Sequence, residues 1–141
     1  IYKSSWKIFL DDNIIFGIGP KMFREICKNK KYHFRVEEDL SVNGCQLHPH
    51  NTYLQLLTET GIIGIFPVIL LLIIILKKFL YHSFSFFTKK TEYLLSDYQV
   101  NLYACLLITL FPIVPTGNFF GNWINVIYFL PIGFLLHTYK K

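Results

Sequence analysis

The sequence predicts an all-α membrane protein in which a large polar loop region leads into three transmembrane helices. Three observations carry that prediction. Hydrophobic residues make up 52% of the 141-residue chain and aromatic residues 18%, more than an ordinary soluble domain carries. Two long stretches, Gly61 to Leu76 and Tyr98 to Leu136, contain no charged side chain, whereas residues 1–60 hold 15 of the 23 charged residues. The segment HPHNTYLQLLTETGIIG at 48–64 then joins a polar, histidine-bearing loop directly to the apolar run IFPVILLLIIIL.

Ile1 opens the chain without the charged segment, short apolar run and cleavage site of a secretory signal. The expectation is therefore the C-terminal part of a longer polytopic protein, whose upstream helices would complete any active site. Within residues 1–60, SSWKIFLDD has the spacing of an amphipathic helix over 3–11, Gly17 to Pro20 reads as a turn, and a second short helix is expected over 20–28. Trp6, Ile8, Phe9 and Phe16 supply an apolar face for packing or for a membrane-interface aromatic belt. Residues 29–44 are charged and irregular and read as loop.

A helix crosses the hydrocarbon core with about 20 apolar residues. The span 61–80 meets this if Lys77 and Lys78 snorkel to the interface. The charge-free stretch 98–136 is too long for one crossing and is punctuated by Pro112, Pro115, Gly117, Asn118, Gly121 and Asn122. It reads as a helical hairpin with spans 99–115 and 122–138 around a turn at 116–121. Lys77 and Lys78 at the end of the span, Lys89 and Lys90 in the 81–98 loop, and Lys140 and Lys141 in the 139–141 tail place that side in the cytoplasm. Residues 1–60 and the 116–121 turn then lie outside, in the periplasm or its equivalent.

The chemistry concentrates at the loop-to-span junction. Asn51 or Thr52 caps a helix starting near Tyr53, so His50 sits just outside a helix N-terminus. There the positive end of the macrodipole favours a neutral imidazole, the form that acts as a base. Pro49 stiffens the approach by holding His48 extended, while Gly61 and Gly64 allow close helix approach.

The pattern His50-Asn51, nine residues, Gly61-x-x-Gly64 and Ile65 resembles the signature of the O-antigen ligase and O-antigen polymerase superfamily. Trp6 and the IIFGIGPKMF run at 14–23 are similar to that family's tryptophan block and its Gly-x-Gly-x-x-Phe turn. The likeness covers residues 1 to about 76. It implies a GT-C-like membrane glycosyltransferase with a large periplasmic loop, acting in lipopolysaccharide or polysaccharide biosynthesis. Such an enzyme takes a glycan from an undecaprenyl or other polyprenyl pyrophosphate carrier and joins it to an acceptor hydroxyl on lipid A core or a similar glycolipid or glycan. The resemblance implies no cofactor, no nucleotide and no metal, with His50 as the catalytic base and arginine on the pyrophosphate.

Arg24 and Arg35 are the two arginines of the chain and the candidates for that clamp, because a planar, permanently charged fork matches phosphate oxygens. His48, Asn51 and Glu59 complete the expected substrate-binding set. Lys21, Lys28, Lys30 and Lys31 add either a positive field toward an anionic carrier or a solvated face. His48 and His50 lack the third ligand a zinc site needs, and His33, His82 and His137 have no supporting pattern. Gly17-x-Gly19 is not a dinucleotide fingerprint, and nucleic acid is not an expected partner. Cys27 and Cys45, both in the region assigned outside, form a candidate disulfide that would draw Arg24 toward His50.

The rival readings are a polymerase that uses a second repeat unit as acceptor, a protein O-oligosaccharyltransferase of the same superfamily, and, in another class, a membrane transporter or scaffold. The spans carry no internal carboxylate or arginine, which disfavours an ion-coupled transporter.

Overall fold

The computed structural model describes residues 1–34, 45–89 and 94–139. Among them are five α-helices: α1 (Tyr2–Asp11), α2 (Phe23–Cys27), α3 (Thr52–Phe87), α4 (Asp97–Thr109) and α5 (Asn122–Thr138), with a 3-10 turn at Lys30–Tyr32 and no strand. The chain divides into two units, one of Ile1–Pro67 with Pro112–Ile124 and one of Val68–Phe111 with Asn125–Lys141.

In the first unit, α1 buries Ser4, Ser5, Ile8 and Phe9 on one face. Ile8 joins Phe23, Cys27 and Tyr32 in a small core, against which Ile18, Ile26 and Cys45 pack. Trp6 and Phe16 remain half or more exposed, at 50% and 64%, so of the expected apolar face only Ile8 and Phe9 are used in packing. Lys7 Nζ ties α1 to the 3-10 turn by donating to the Lys31 carbonyl at 2.7 Å.

The helix through the loop-to-span junction is broken at Gly61, with φ 65° and ψ −164°. This is backbone territory that essentially only glycine occupies. In an unbroken helix the N–H groups of Ile62 and Ile63 would donate to the carbonyls of Thr58 and Glu59. Instead the segment Ile14–Gly19 lies in the gap: Ile18 and Gly19 donate to Thr58 and Glu59 at 3.1 and 2.9 Å, and Ile62 and Ile63 donate to Ile14 and Ile15 at 3.0 and 3.2 Å. Both orphaned donors and both orphaned acceptors are thereby satisfied. The fit demands two glycines, since a Cβ on Gly17 would sit 2.5 Å from the Glu59 carbonyl carbon and one on Gly61 would collide with Ile15. Gly61 therefore serves this break, rather than the approach of helices in lipid expected from the Gly-x-x-Gly spacing.

In the second unit, α4 begins with a complete capping box, Ser96 and Gln99 each bonding the other's backbone. Gln99 also donates to Thr138 at 3.0 Å, and the hydroxyls of Tyr103 and Tyr139 bond at 2.8 Å. α3 is long and apolar enough to cross a membrane, and only 17% of its most apolar window is buried. Helix α4 has 13 residues and α5 has 17, about 20 and 25 Å at a rise of about 1.5 Å per residue. The hydrocarbon core is about 30 Å thick. Residues 110–115 of the expected span 99–115 lie beyond the end of α4 at Thr109, where Pro112 and Pro115 cannot supply helical N–H donors.

Candidate functional site

Thr52 opens α3, and Asn51 caps it: the Asn51 Oδ1 accepts from the N–H groups of Tyr53 and Leu54, both at 3.0 Å. Its Nδ2 donates to the Pro112 carbonyl at 2.7 Å, and the Thr52 and Thr116 hydroxyls bond at 2.9 Å. The Thr116 N–H donates to the His50 carbonyl at 3.0 Å. These contacts anchor the His48-Pro49-His50 arm by its backbone and leave its rings to other work.

His50 itself has a positive φ of 55°, the left-handed conformation that histidine tolerates better than most residues. Its N–H donates to His48 Nδ1 at 3.1 Å, and the two rings lie 4.2 Å apart, tilted by 57°. The second partner of His50 is Gln46, whose Oε1 lies 2.9 Å from Nε2. Burial, and secondarily the charge on His50, push the His48 imidazole below its ordinary value.

A cavity of about 660 Å³ opens beside this arm, lined by Arg24, Lys28, His33, Gln46, His48 and His50 among others. Cys27 and Cys45, joined by a disulfide with a Cα–Cα distance of 5.7 Å, also line it. The bond links the C-terminal end of α2 to the segment that enters the histidine arm. Lys28 pairs with Glu25 at 2.5 Å, which holds the Glu25 carboxyl below its usual range, while Arg24 has no ion pair among the described residues. His33 is held by a 2.9 Å contact from Nε2 to the Cys27 carbonyl.

The structure thus brings His48, His50 and Arg24 to one cavity and assigns Asn51 to the helix cap. Glu59 stands elsewhere, 1% exposed. Its Oε1 accepts from the Phe23 N–H at 3.1 Å and its Oε2 from Gln55 Nε2 at 3.0 Å. Gln55 in turn donates to Asn118 Oδ1 at 2.7 Å and accepts from the Phe119 N–H at 2.9 Å. This buried chain fastens α2 and the 118–119 segment to the first turns of α3. Arg35 lies outside the described residues. Lys28, His33 and Gln46 were not singled out from the sequence as site residues. For His33 and Gln46 the signal is proximity created by the Cys27–Cys45 link, which a scan for motifs does not weigh.

The arrangement sets a permanently charged guanidinium and two imidazoles around a pocket at the entrance of an apolar helix. Such a pocket suits an anionic leaving group and a hydroxyl that must lose a proton. No curated protein and no solved structure matches the chain. The family model of O-antigen ligase matches residues 1–69, the segment that holds the Gly17 turn, the disulfide, the histidine arm and the broken helix. That match, over just under half of the chain, supports membership of the O-antigen ligase superfamily.

Proposed function

We propose that the protein is a metal-independent membrane glycosyltransferase of the ligase type, moving a glycan from a polyprenyl pyrophosphate carrier to an acceptor hydroxyl. The observation that carries this reading is the cavity where the His48-Pro49-His50 arm faces Arg24. In this reaction His50 takes the proton of the acceptor hydroxyl as the oxygen attacks the anomeric carbon. The bond from that carbon to the pyrophosphate oxygen breaks, its electron pair leaves with the carrier, and the configuration inverts. With the Gln46 carbonyl oxygen accepting from His50 Nε2–H, Nδ1 is the nitrogen left to act as base. A neutral His48 stacked beside it spares the emerging imidazolium a second positive charge. Arg24 meets the pyrophosphate, whose growing charge its fork matches. In this reading residues 1–60 face the periplasm, where the carrier presents its glycan.

The test is transfer of a polyprenyl-pyrophosphate-linked glycan by the full-length protein in membranes, comparing wild type with His50→Ala at equal insertion. Removal of a general base is expected to cost about 10²–10⁴-fold in rate. Undiminished transfer by the variant would exclude His50 as the base.

A further inference from the structure

We propose that the second unit carries a binding site for the headgroup of an anionic phospholipid, independent of the glycosyl-transfer cavity and of its chemistry. The site is a cavity of about 710 Å³ lined on its polar side by Lys77, Lys78, Tyr81, Gln99 and Tyr139. Ile74, Leu94 and Leu95 supply its apolar side. Two ammonium groups beside phenol and amide groups offer both charge and hydrogen bonds to a phosphodiester. The aliphatic residues next to them offer a surface for the start of an acyl chain. Free phosphate would have no use for that apolar side.

Three observations favour a lipid as the occupant. The cavity lies where the uncharged stretch Gly61 to Leu76 of α3 gives way to Lys77 and Lys78, the depth at which lysine side chains reach headgroups. Beyond Lys78, α3 continues with Tyr81, Phe84, Phe86 and Phe87 exposed at 53%, 63%, 67% and 83%. Tyrosine concentrates at the membrane interface, and exposed phenylalanines suit the boundary between headgroups and acyl chains. The walls are also fixed before any ligand arrives. The Leu95 N–H donates to His82 Nδ1 at 3.1 Å, Gln99 bonds Thr138, and Tyr139 bonds Tyr103. Neither lysine has a carboxylate partner among the described residues; Lys78 instead sits 5.9 Å from the centre of the Tyr139 ring. A preformed pocket whose two cations meet no carboxylate among the described residues, at the edge of an apolar helix, is complementary to one anionic headgroup.

The experiment equilibrates the full-length protein with nanodiscs of mixed phosphatidylglycerol and phosphatidylcholine and counts each lipid retained after extraction, by native mass spectrometry. Wild type is expected to enrich phosphatidylglycerol. The Lys77→Gln/Lys78→Gln pair should lose that enrichment by about 5-fold per lysine, and the Lys77→Arg/Lys78→Arg pair, which keeps the charge, should retain it. Lys3→Gln/Lys7→Gln, in the other unit, should leave retention unchanged. Equal retention of both lipids by wild type, or undiminished enrichment in the glutamine pair, would overturn the proposal. A glutamine pair that loses both lipids alike would also overturn it, since that outcome reports loss of structure or of general lipid contact.

Discussion

The two units of this chain obey different rules of assembly. In the first, Ser4, Ser5, Asn51, Thr52, Gln55, Thr58 and Glu59 are buried, whereas in the second Ser85 is the one buried polar residue among those described. The first unit satisfies most of its buried polar groups, several through cross-links between distant segments such as Glu59 to Phe23 and Gln55 to Asn118, and Ser4 Oγ alone is buried without a partner among the described residues. The second exposes Ile73, Leu80, Ile108 and Phe134, at 54%, 63%, 68% and 48%, and joins distant segments through bonds such as Leu95 to His82, Gln99 to Thr138 and Tyr103 to Tyr139. A buried polar network is costly unless every member finds a partner, and when complete it fixes one geometry. Bare apolar helices leave their placement to surrounding lipid and neighbouring helices. The difference locates precision in the first unit, which is where the histidine arm has to be held.

The sharpest way to break this contrast is to add a single methyl at a glycine of each unit. Gly17→Ala would force a Cβ into the Glu59 carbonyl carbon at a φ of +71°, and the expected cost is on the order of 3 kcal/mol or more. Gly133→Ala meets nothing within 4 Å in α5 and is expected to be neutral or to stabilise by up to about 1 kcal/mol. Thermal unfolding in one detergent measures both. Equal damage from the two would mean that α5 is packed as tightly as the loop at the break.

Next in size is the disulfide, which closes a loop of sequence separation 18 in the first unit. Its removal in Cys27→Ser/Cys45→Ser should lower the unfolding free energy by about 3 kcal/mol. Cys105, a free cysteine of the second unit, provides the comparison, and Cys105→Ser should leave the melting temperature almost unmoved. Unequal loss of transfer activity and of stability in the double variant would show that the bond also shapes the cavity.

A smaller effect separates the buried network from the exposed one. Glu59→Leu strands the Phe23 N–H and the Gln55 amide inside the protein, at an expected cost of about 2 kcal/mol. Gln99→Leu, which loses the bond to Thr138 and half of a partly exposed capping box, should cost about 1 kcal/mol or less. Chemical denaturation of each variant decides the order. Should Glu59→Leu stay fully folded and yet lose transfer, Glu59 would belong with the substrate contacts, and the network reading of its burial would fail.

How far the sequence revealed this division follows from what kind of signal each part left. The start of α3 was legible because its cap is local, Asn51 before Thr52 carrying its own hydrogen-bond logic within a few residues, whereas the Ser96 cap before Asp97 left the same kind of signal and the span was expected only from 99. The candidate base was legible because His50 stands at a fixed distance from Gly61 and beside a helix N-terminus, a spacing shared with the superfamily. The break at Gly61 was not, because nothing within ETGIIG separates a broken helix from a continuous one and the cause of the break, the Ile14–Gly19 segment, lies more than forty residues upstream. The partners of Glu59 were hidden for the same reason. A carboxylate at the start of an apolar run gives no local sign that its oxygens face Phe23 and Gln55. Long-range pairing of backbone and polar groups is invisible to composition and period, and it is the feature in which the first unit is richest.

The finest test of the histidine arm is its response to pH. Burial and the neighbouring His50 lower the folded-state proton affinity of His48, whereas in the unfolded chain the ring titrates near its ordinary value of about 6.5. The unfolded state therefore binds the proton first as pH falls. The contribution of a neutral His48 is complete above about pH 6.5 and is lost as pH drops below it toward the folded-state value. Because the ring is only partly buried, the effect is the smallest of those argued here. His48→Asn keeps an acceptor close to the position of Nδ1 for the His50 N–H and removes the titration. Between about pH 7 and pH 5 wild type should lose stability relative to this variant. Parallel curves would place His48 in open water, and in the proposed mechanism the neutral partner of His50 would then have to come from the rest of the cavity.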